Sequence, residues 1–236
     1  NEMKKRQVFN VIILGRSGSG SRIREAAVDG FNETLAGIKK AQEKFADTQD
    51  HFVTLVTFCN CETKHVFDKV PVAEARPLTM EDYQPCCGTP LYDAMGFTLT
   101  AMRRHVKEIE DSVVVVTVIT DGMENSSREY SGRVIKELVE RLRGEGWTFT
   151  YMGANQDAVE VASSLSIRNS CNFAYSHEGT RDSMCKDAST RLNFFSRLAE
   201  VKKQEADGAA APMSAQERNN LYTTMANEAF DEEERK

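Results

Sequence analysis

The chain has 236 residues, 40% of them hydrophobic, with 12 phenylalanines and only 5 prolines, enough apolar material for one sizeable core and a small extension. Its 30 basic and 36 acidic residues give a formal charge of −6, and no basic stretch dominates, which argues against nucleic acid as a partner. The N-terminal "NEMKKRQVFNVIIL" has too short an apolar run and no cleavage site for a signal peptide, and no run approaches the roughly 18 apolar residues of a membrane span.

Apolar runs of strand type alternate with longer helical patterns. "QVFNVIIL" (7–14) has almost no polar alternation, which predicts a strand buried on both faces. The segment 23–45 carries Ile23, Ala27, Phe31, Leu35, Ile38 and Phe45 at helical spacing. "HFVTLVTFC" (51–59) predicts a second strand, with "KHVFDKV" (64–70) as an edge strand paired to it. The segment 89–109 reads as a helix with Pro90 in its first turn. "SVVVVTVIT" (112–120) is the most apolar strand and therefore central. A helix over 130–146, stopped by glycines, precedes a strand over 147–153. A helix over 156–167, a weak edge strand over 169–176 and a closing helix over 177–201 with an irregular start complete the pattern.

This alternation implies right-handed crossovers and a doubly wound, mostly parallel α/β sheet of Rossmann-like type with one antiparallel edge strand. Residues 1–203 form that domain. From about 204 the composition turns polar and alanine-rich; 204–213 reads as a linker, 214–231 as an appended helix, and "DEEERK" as a solvated acidic end. Cys59, Cys61, Cys86, Cys87, Cys171 and Cys185 are expected to be reduced thiols of a cytoplasmic protein. A chain of this size folds without disulfide staples, and "CNC" and "CC" lack the CxxC pairing of zinc sites.

Ligands of such sheets bind beyond the carboxyl ends of the strands, which puts the loops after Leu14, before the 89–109 helix and after Thr120 on one rim. The first, "GRSGSGSR", admits a phosphate loop, a metal loop or a plain turn. It meets the first part of GxxxxGK[ST], but Ser21 stands where the lysine should be. The metal reading draws on all three loops: Ser17 and Ser19, Thr89 in "CCGTPLYDA", and Asp121 in "TDGMEN". Their hydroxyls and carboxylate are hard oxygen ligands suited to Mg²⁺, Mn²⁺ or Ca²⁺. Beside this stand plainer roles: Ser17 and Ser19 as caps, Thr89 as the N-cap with Pro90 at N1, Asp121-Gly122 as a turn, and Arg16, Arg22 and Arg24 as a solvated rim. Catalysis finds no footing. His51, His65, His105 and His177 have no nucleophile partner at a recognisable spacing, Ser17 is not in a GxSxG context, and Cys86 and Cys87 read as packing residues.

"VIILGRSGSGSRIREAAVDGFN", "GTPLYDAM" and "VVTVITDGMENSSREYS" resemble the von Willebrand factor A (VWA) domain of the stand-alone bacterial type, and the likeness extends to about residue 200. It implies a metal-ion-dependent adhesion site (MIDAS) on the upper rim, in which Ser17 and Ser19 match the two serines of a D-x-S-x-S loop, Thr89 the threonine and Asp121 the second aspartate. Gly15 stands where the family has its first aspartate, and Gly20 where it has methionine, so the site resembles a degenerate one that holds its ion weakly or has lost it. The resemblance implies a non-catalytic protein-interaction module whose partner supplies an acidic side chain to the ion, working beside an ATPase or a kinase–phosphatase pair. A metal-independent interaction module is the alternative, and a nucleotide-binding protein a more distant one.

Overall fold

The computed structural model describes residues 4–16, 24–154, 156–174, 176–208, 211 and 213–236. Its elements are β1 (Arg6–Gly15), α1 (Arg24–Lys44), β2 (Gln49–Phe58), β3 (Thr63–Pro71), α2 (Leu91–Val106), β4 (Ser112–Thr120), α3 (Gly132–Gly144), β5 (Thr148–Gly153), α4 (Ala158–Ser164), β6 (Asn169–Asn172), α5 (His177–Ala206) and α6 (Ala215–Glu234). The strands form one six-stranded sheet in the order β3-β2-β1-β4-β5-β6. Every pairing is parallel except β2 with β3. From β1 the chain winds outward to β2 and β3, then returns to the other side of β1 for β4. The switch point therefore lies between β1 and β4, where a crevice opens beyond their carboxyl ends.

β1 and β4 are buried along nearly their whole length because helices cover both faces. Phe9, Val11 and Ile13 face the layer built by α2, α3 and α4, where Leu91, Met95, Ile135, Val139 and Ala158 pack. The alternating Ile12 and Leu14 face α1, against Ala27, Phe31, Leu35 and Ile38. Polar groups fasten α5 to the sheet beneath it. Arg191, 3% exposed, donates to Asn10 Oδ1 at 2.8 Å, to Thr117 Oγ1 at 2.8 Å and to Asp187 Oδ2 at 3.0 Å.

Three sequence expectations change. α5 starts regularly, with Ser176 capping Gly179 N at 3.0 Å, and runs through Ala206, so the 203/204 boundary falls inside a helix. The appended helix packs on the domain. Tyr222, Met225, Ala226 and Ala229 of α6 pack with Val8, Val113, Phe195 and Leu198 in a common cluster. The acidic end is fastened by ion pairs, Asp231 to Arg168 at 2.9 Å, Glu232 to Arg197 at 2.6 Å and Glu234 to Lys186 at 2.7 Å. Among the described residues no helix is long and apolar enough to cross a membrane.

Candidate functional site

Thr89 and Asp121 both sit at the carboxyl edge of the sheet, 3% and 4% exposed. Asp121 directly follows β4. Thr89 precedes α2, but it does not cap it: the helix begins at Leu91 with Pro90 in the capping position and no side-chain cap bond. The plain N-cap reading of Thr89 is corrected accordingly. Its backbone is used instead to bind the aspartate loop. Thr89 N donates to Asn125 Oδ1 at 2.8 Å, and Asn125 N donates back to Thr89 O at 3.1 Å.

Asp93, in the first turn of α2, extends this stitching. Its carboxylate accepts from the amides of Arg128, Glu129 and Tyr130 at 2.8, 3.0 and 2.9 Å, and its own amide donates to Ser127 Oγ at 3.0 Å. Glu124 Oε2 accepts from Ser126 N at 3.1 Å and from Ser127 N at 3.4 Å. Glu124 Oε1 and Ser126 Oγ are buried with no hydrogen-bond partner among the described residues. Burial and the Glu124 charge together raise the pKa of the neighbouring Tyr92. The cleft beside this loop is lined by Tyr92, Met123, Glu124, Asp157 and Glu160, so it is acidic. Met123 at its mouth is 58% exposed.

On the β1 side, Gly15 is hemmed in. A Cβ there would lie 2.9 Å from Thr120 Oγ1 and 3.2 Å from Phe58 Cζ. The Thr120 hydroxyl is itself engaged, donating to Gly122 O at 2.9 Å and accepting from Gly122 N at 3.2 Å, which shapes the turn after Asp121. Buried Tyr83 donates to Gly15 O at 3.1 Å. Arg16 is not part of a solvated rim as expected. It is 4% exposed, and its guanidinium donates to Gln84 O at 2.6 Å and to Glu62 Oε1 at 3.0 Å. Arg24 donates from Nε to Met80 O at 2.9 Å. Ser17, Ser19, Gly20 and Arg22 lie outside the described residues.

The expectation of reduced thiols throughout is also corrected. Cys59, just past β2, is disulfide-bonded to Cys86, with 6.1 Å between their Cα atoms. No sequence spacing signalled this pairing; it follows from the way β2 and the segment before α2 meet beside Arg16, whose carbonyl accepts from Cys86 N at 2.8 Å.

The pilus adhesin SpaC from Lactobacillus rhamnosus GG matches 82% of this chain with a TM-score of 0.60 at 12% identity. The open conformation of that adhesin matches with a TM-score of 0.55 at 11% identity. The chain spans 32% of the first adhesin structure and 31% of the second. The VWA domain of SpRpn10 matches over 76% of this chain and 94% of that domain, with a TM-score of 0.48 at 9% identity. The chain has the von Willebrand factor A fold. No protein-family profile and no curated protein sequence matches it. Within this VWA fold, the described rim residues offer a threonine hydroxyl and a carboxylate, the hard oxygen donors that suit Mg²⁺, Mn²⁺ or Ca²⁺. The orphaned Glu124 Oε1 adds a second carboxylate oxygen in the same loop. Sequence reasoning passed over Asp93 and Asn125, although they lie inside two of the three stretches that carried the resemblance.

Proposed function

We propose that the chain is a non-catalytic protein-interaction module that binds its partner at the rim made by Ser17, Ser19, Thr89 and Asp121, through a weakly held divalent ion of the Mg²⁺ type. The observation that carries this reading is the mutual clasp of Thr89 and Asn125 beside Asp121. It fixes the two loops bearing the expected donors against each other before any ligand arrives, and preorganisation of this kind lowers the cost of binding. The ion would be held by the hydroxyls of Ser17, Ser19 and Thr89 and the carboxylate of Asp121. It would supply positive charge to a rim that carries Asp121 beside a cleft made acidic by Glu124, Asp157 and Glu160. An acidic partner side chain is repelled by such a rim without the ion and attracted with it. With glycine at position 15 only one matched carboxylate balances the ion, so the free chain should bind it weakly, since ligand charge sets the affinity of such sites. We propose an ATPase or a kinase–phosphatase system in the cytoplasm as the setting.

One observation favours a metal-independent module as the second reading: the position of the first aspartate is crowded by Thr120 and Phe58. Isothermal titration with Mg²⁺ and Mn²⁺ separates the two. The first reading expects weak binding that disappears in Asp121→Ala, and partner capture from lysate that EDTA abolishes. Absence of metal binding together with EDTA-insensitive capture overturns it in favour of the second.

A further inference from the structure

A cluster of cysteines lies behind the rim, where the tight turn between β2 and β3 meets the segment leading into α2. Cys59 and Cys86 are joined there, and the sulfur of Cys61 lies with theirs in a group whose members are all within 4.8 Å of one another. Cys87 lies beside this group and shares a contact with it: its sulfur is 3.4 Å from Asn60 Oδ1, and the Cys61 sulfur is 3.7 Å from the same atom. Cys61 and Cys87 are both exposed, so burial in a core does not account for them.

Backbone contacts independent of the disulfide hold this arrangement. Cys59 N donates to Glu62 O at 3.0 Å, closing the turn, and Asn60 N donates to Cys87 O at 3.2 Å, joining the two segments. Gly88 has φ of 81°, in the left-handed region, and a Cβ on it would lie 2.5 Å from Asn60 Cγ. Glycine is what lets the segments approach so closely. The Arg16 guanidinium bridges the same two segments through Glu62, which follows Cys61, and Gln84, two residues before Cys86.

We propose that in the reduced protein Cys59, Cys61, Cys86 and Cys87 form a tetrahedral zinc–thiolate site. Four sulfurs at about 2.3 Å from Zn²⁺ lie roughly 3.8 Å apart; the Cys59, Cys61 and Cys86 sulfurs are already within 4.8 Å of one another, and the exposed Cys87 side chain has to turn toward them to complete the set. A thiol reductant opens it: two reductant thiols deliver two electrons and two protons to Cys59 and Cys86 and leave as their own disulfide. Zn²⁺ then displaces four protons from the four thiols, giving a dianionic centre. A reducing compartment such as the cytoplasm favours this form, and an oxidising one favours the disulfide. Either cross-link ties the base of the β1 loop, through Arg16, to the segment carrying Thr89. The proposal does not depend on the rim binding a metal.

The test uses the full chain, reduced and freed of reductant without air, and titrated with Zn²⁺ against a chromophoric chelator and with Co²⁺ by absorption. The expected result is one tight equivalent with thiolate-to-cobalt charge transfer and tetrahedral ligand-field bands, seen only after reduction. Oxygen ligation at the rim gives no such charge transfer, which separates the two sites. The pair Cys61→Ser and Cys87→Ser leaves the Cys59–Cys86 disulfide free to form and so keeps a folded reference. In it Zn²⁺ affinity should fall by more than the roughly 10–100-fold that loss of an outer-shell partner costs. Reduced chain that shows no sulfur-to-cobalt transition, or a double variant that binds Zn²⁺ as tightly as the parent, overturns the proposal.

Discussion

Thr89 and Asn125 hold each other reciprocally across 36 positions of sequence, Thr89 N donating to the Asn125 side chain and Asn125 N donating to the Thr89 carbonyl. Asn125→Ala removes the acceptor and leaves the Thr89 amide without its protein partner. The bond is part-buried, and losing one of this kind costs about 0.5–1.5 kcal/mol. Urea denaturation should show a loss of that order, and the Thr89 amide should exchange faster than in the parent. If Thr89 and Asp121 hold the proposed ion, its affinity should fall as well, because the two are no longer fixed to each other. A variant with unchanged stability and unchanged Thr89 exchange would show that the clasp does not organise the rim.

Gly15 and Thr120 are coupled by contact rather than by hydrogen bonding, since a Cβ at position 15 would sit 2.9 Å from Thr120 Oγ1. Gly15→Ala is therefore expected to destabilise by about 1–3 kcal/mol through overpacking. In a Thr120→Ala background the crowding oxygen is gone, so the same substitution should cost less. A double-mutant cycle in denaturant measures the difference, expected at about 0.5 kcal/mol or more. The same contact bears on placing an aspartate at position 15. Gly15→Asp has to displace the hydroxyl that shapes the Gly122 turn, so it should gain metal affinity at a cost in stability unless Thr120 rotates away.

His51 is buried against Phe195 and bonded at both ring nitrogens, Nε2 to Gln49 Oε1 at 2.8 Å and Nδ1 to Asn10 Nδ2 at 3.2 Å. Burial, helped by the nearby Arg191 charge, lowers its pKa to about 3. The unfolded chain takes up this proton near pH 6.5 while the folded chain refuses it, so stability falls as pH drops through the window between 6.5 and 3, by on the order of 1 kcal/mol per unit. Above pH 6.5 the group contributes nothing to the pH dependence. Asp82 and Asp111, whose pKa values are lowered by Arg76 and by Arg6 and Lys202, begin to weaken the fold only below about pH 5. Denaturant midpoints between pH 5 and 6.5 should therefore slope in the parent and flatten in His51→Gln. Equal slopes would refute the assignment.

The central strands were readable because burial on both faces leaves an unbroken apolar run, as in Val113–Thr120, and the paired edge strand β3 was readable from its place after β2. The rim was readable only as loops that the topology gathers. What escaped detection was carried by single side chains reaching across the chain to backbone groups: Asp93 to the amides of 128–130, Asn125 to Thr89, Arg16 to Gln84. Such bonds have no period and no fixed spacing, so a sequence shows the polar residue but not its destination. Arg16 illustrates this well, since an arginine in a glycine–serine loop reads as solvated until Glu62 and Gln84 are found folded over it. The packing of α6 is hidden in the sequence for a related reason. Its buried face, Tyr222, Met225, Ala226 and Ala229, is narrow and its remaining positions are polar.

Tyr222 decides whether that tail is an accessory or part of the fold. Its ring lies under the Arg6 guanidinium, with 4.6 Å from Arg6 Cζ to the ring centroid, and its hydroxyl reaches Asp111 Oδ1 at 3.5 Å. Asp111 in turn accepts from Arg6 Nε and from Lys202 Nζ, both at 3.0 Å. Arg6 begins β1, Asp111 precedes β4, Lys202 is on α5 and Tyr222 on α6, so one buried cluster ties both ends of the chain to the amino-terminal edge of the sheet, opposite the rim. Tyr222→Ala opens a cavity and uncovers Arg6, and aromatic truncations in such settings cost about 3–5 kcal/mol. Tyr222→Phe keeps the ring over Arg6 and loses only a long hydrogen bond, so it should cost no more than about 1 kcal/mol. Denaturant unfolding of the two variants checks the ratio. If Tyr222→Ala unfolds at the parental midpoint, α6 is dispensable and the domain closes with α5.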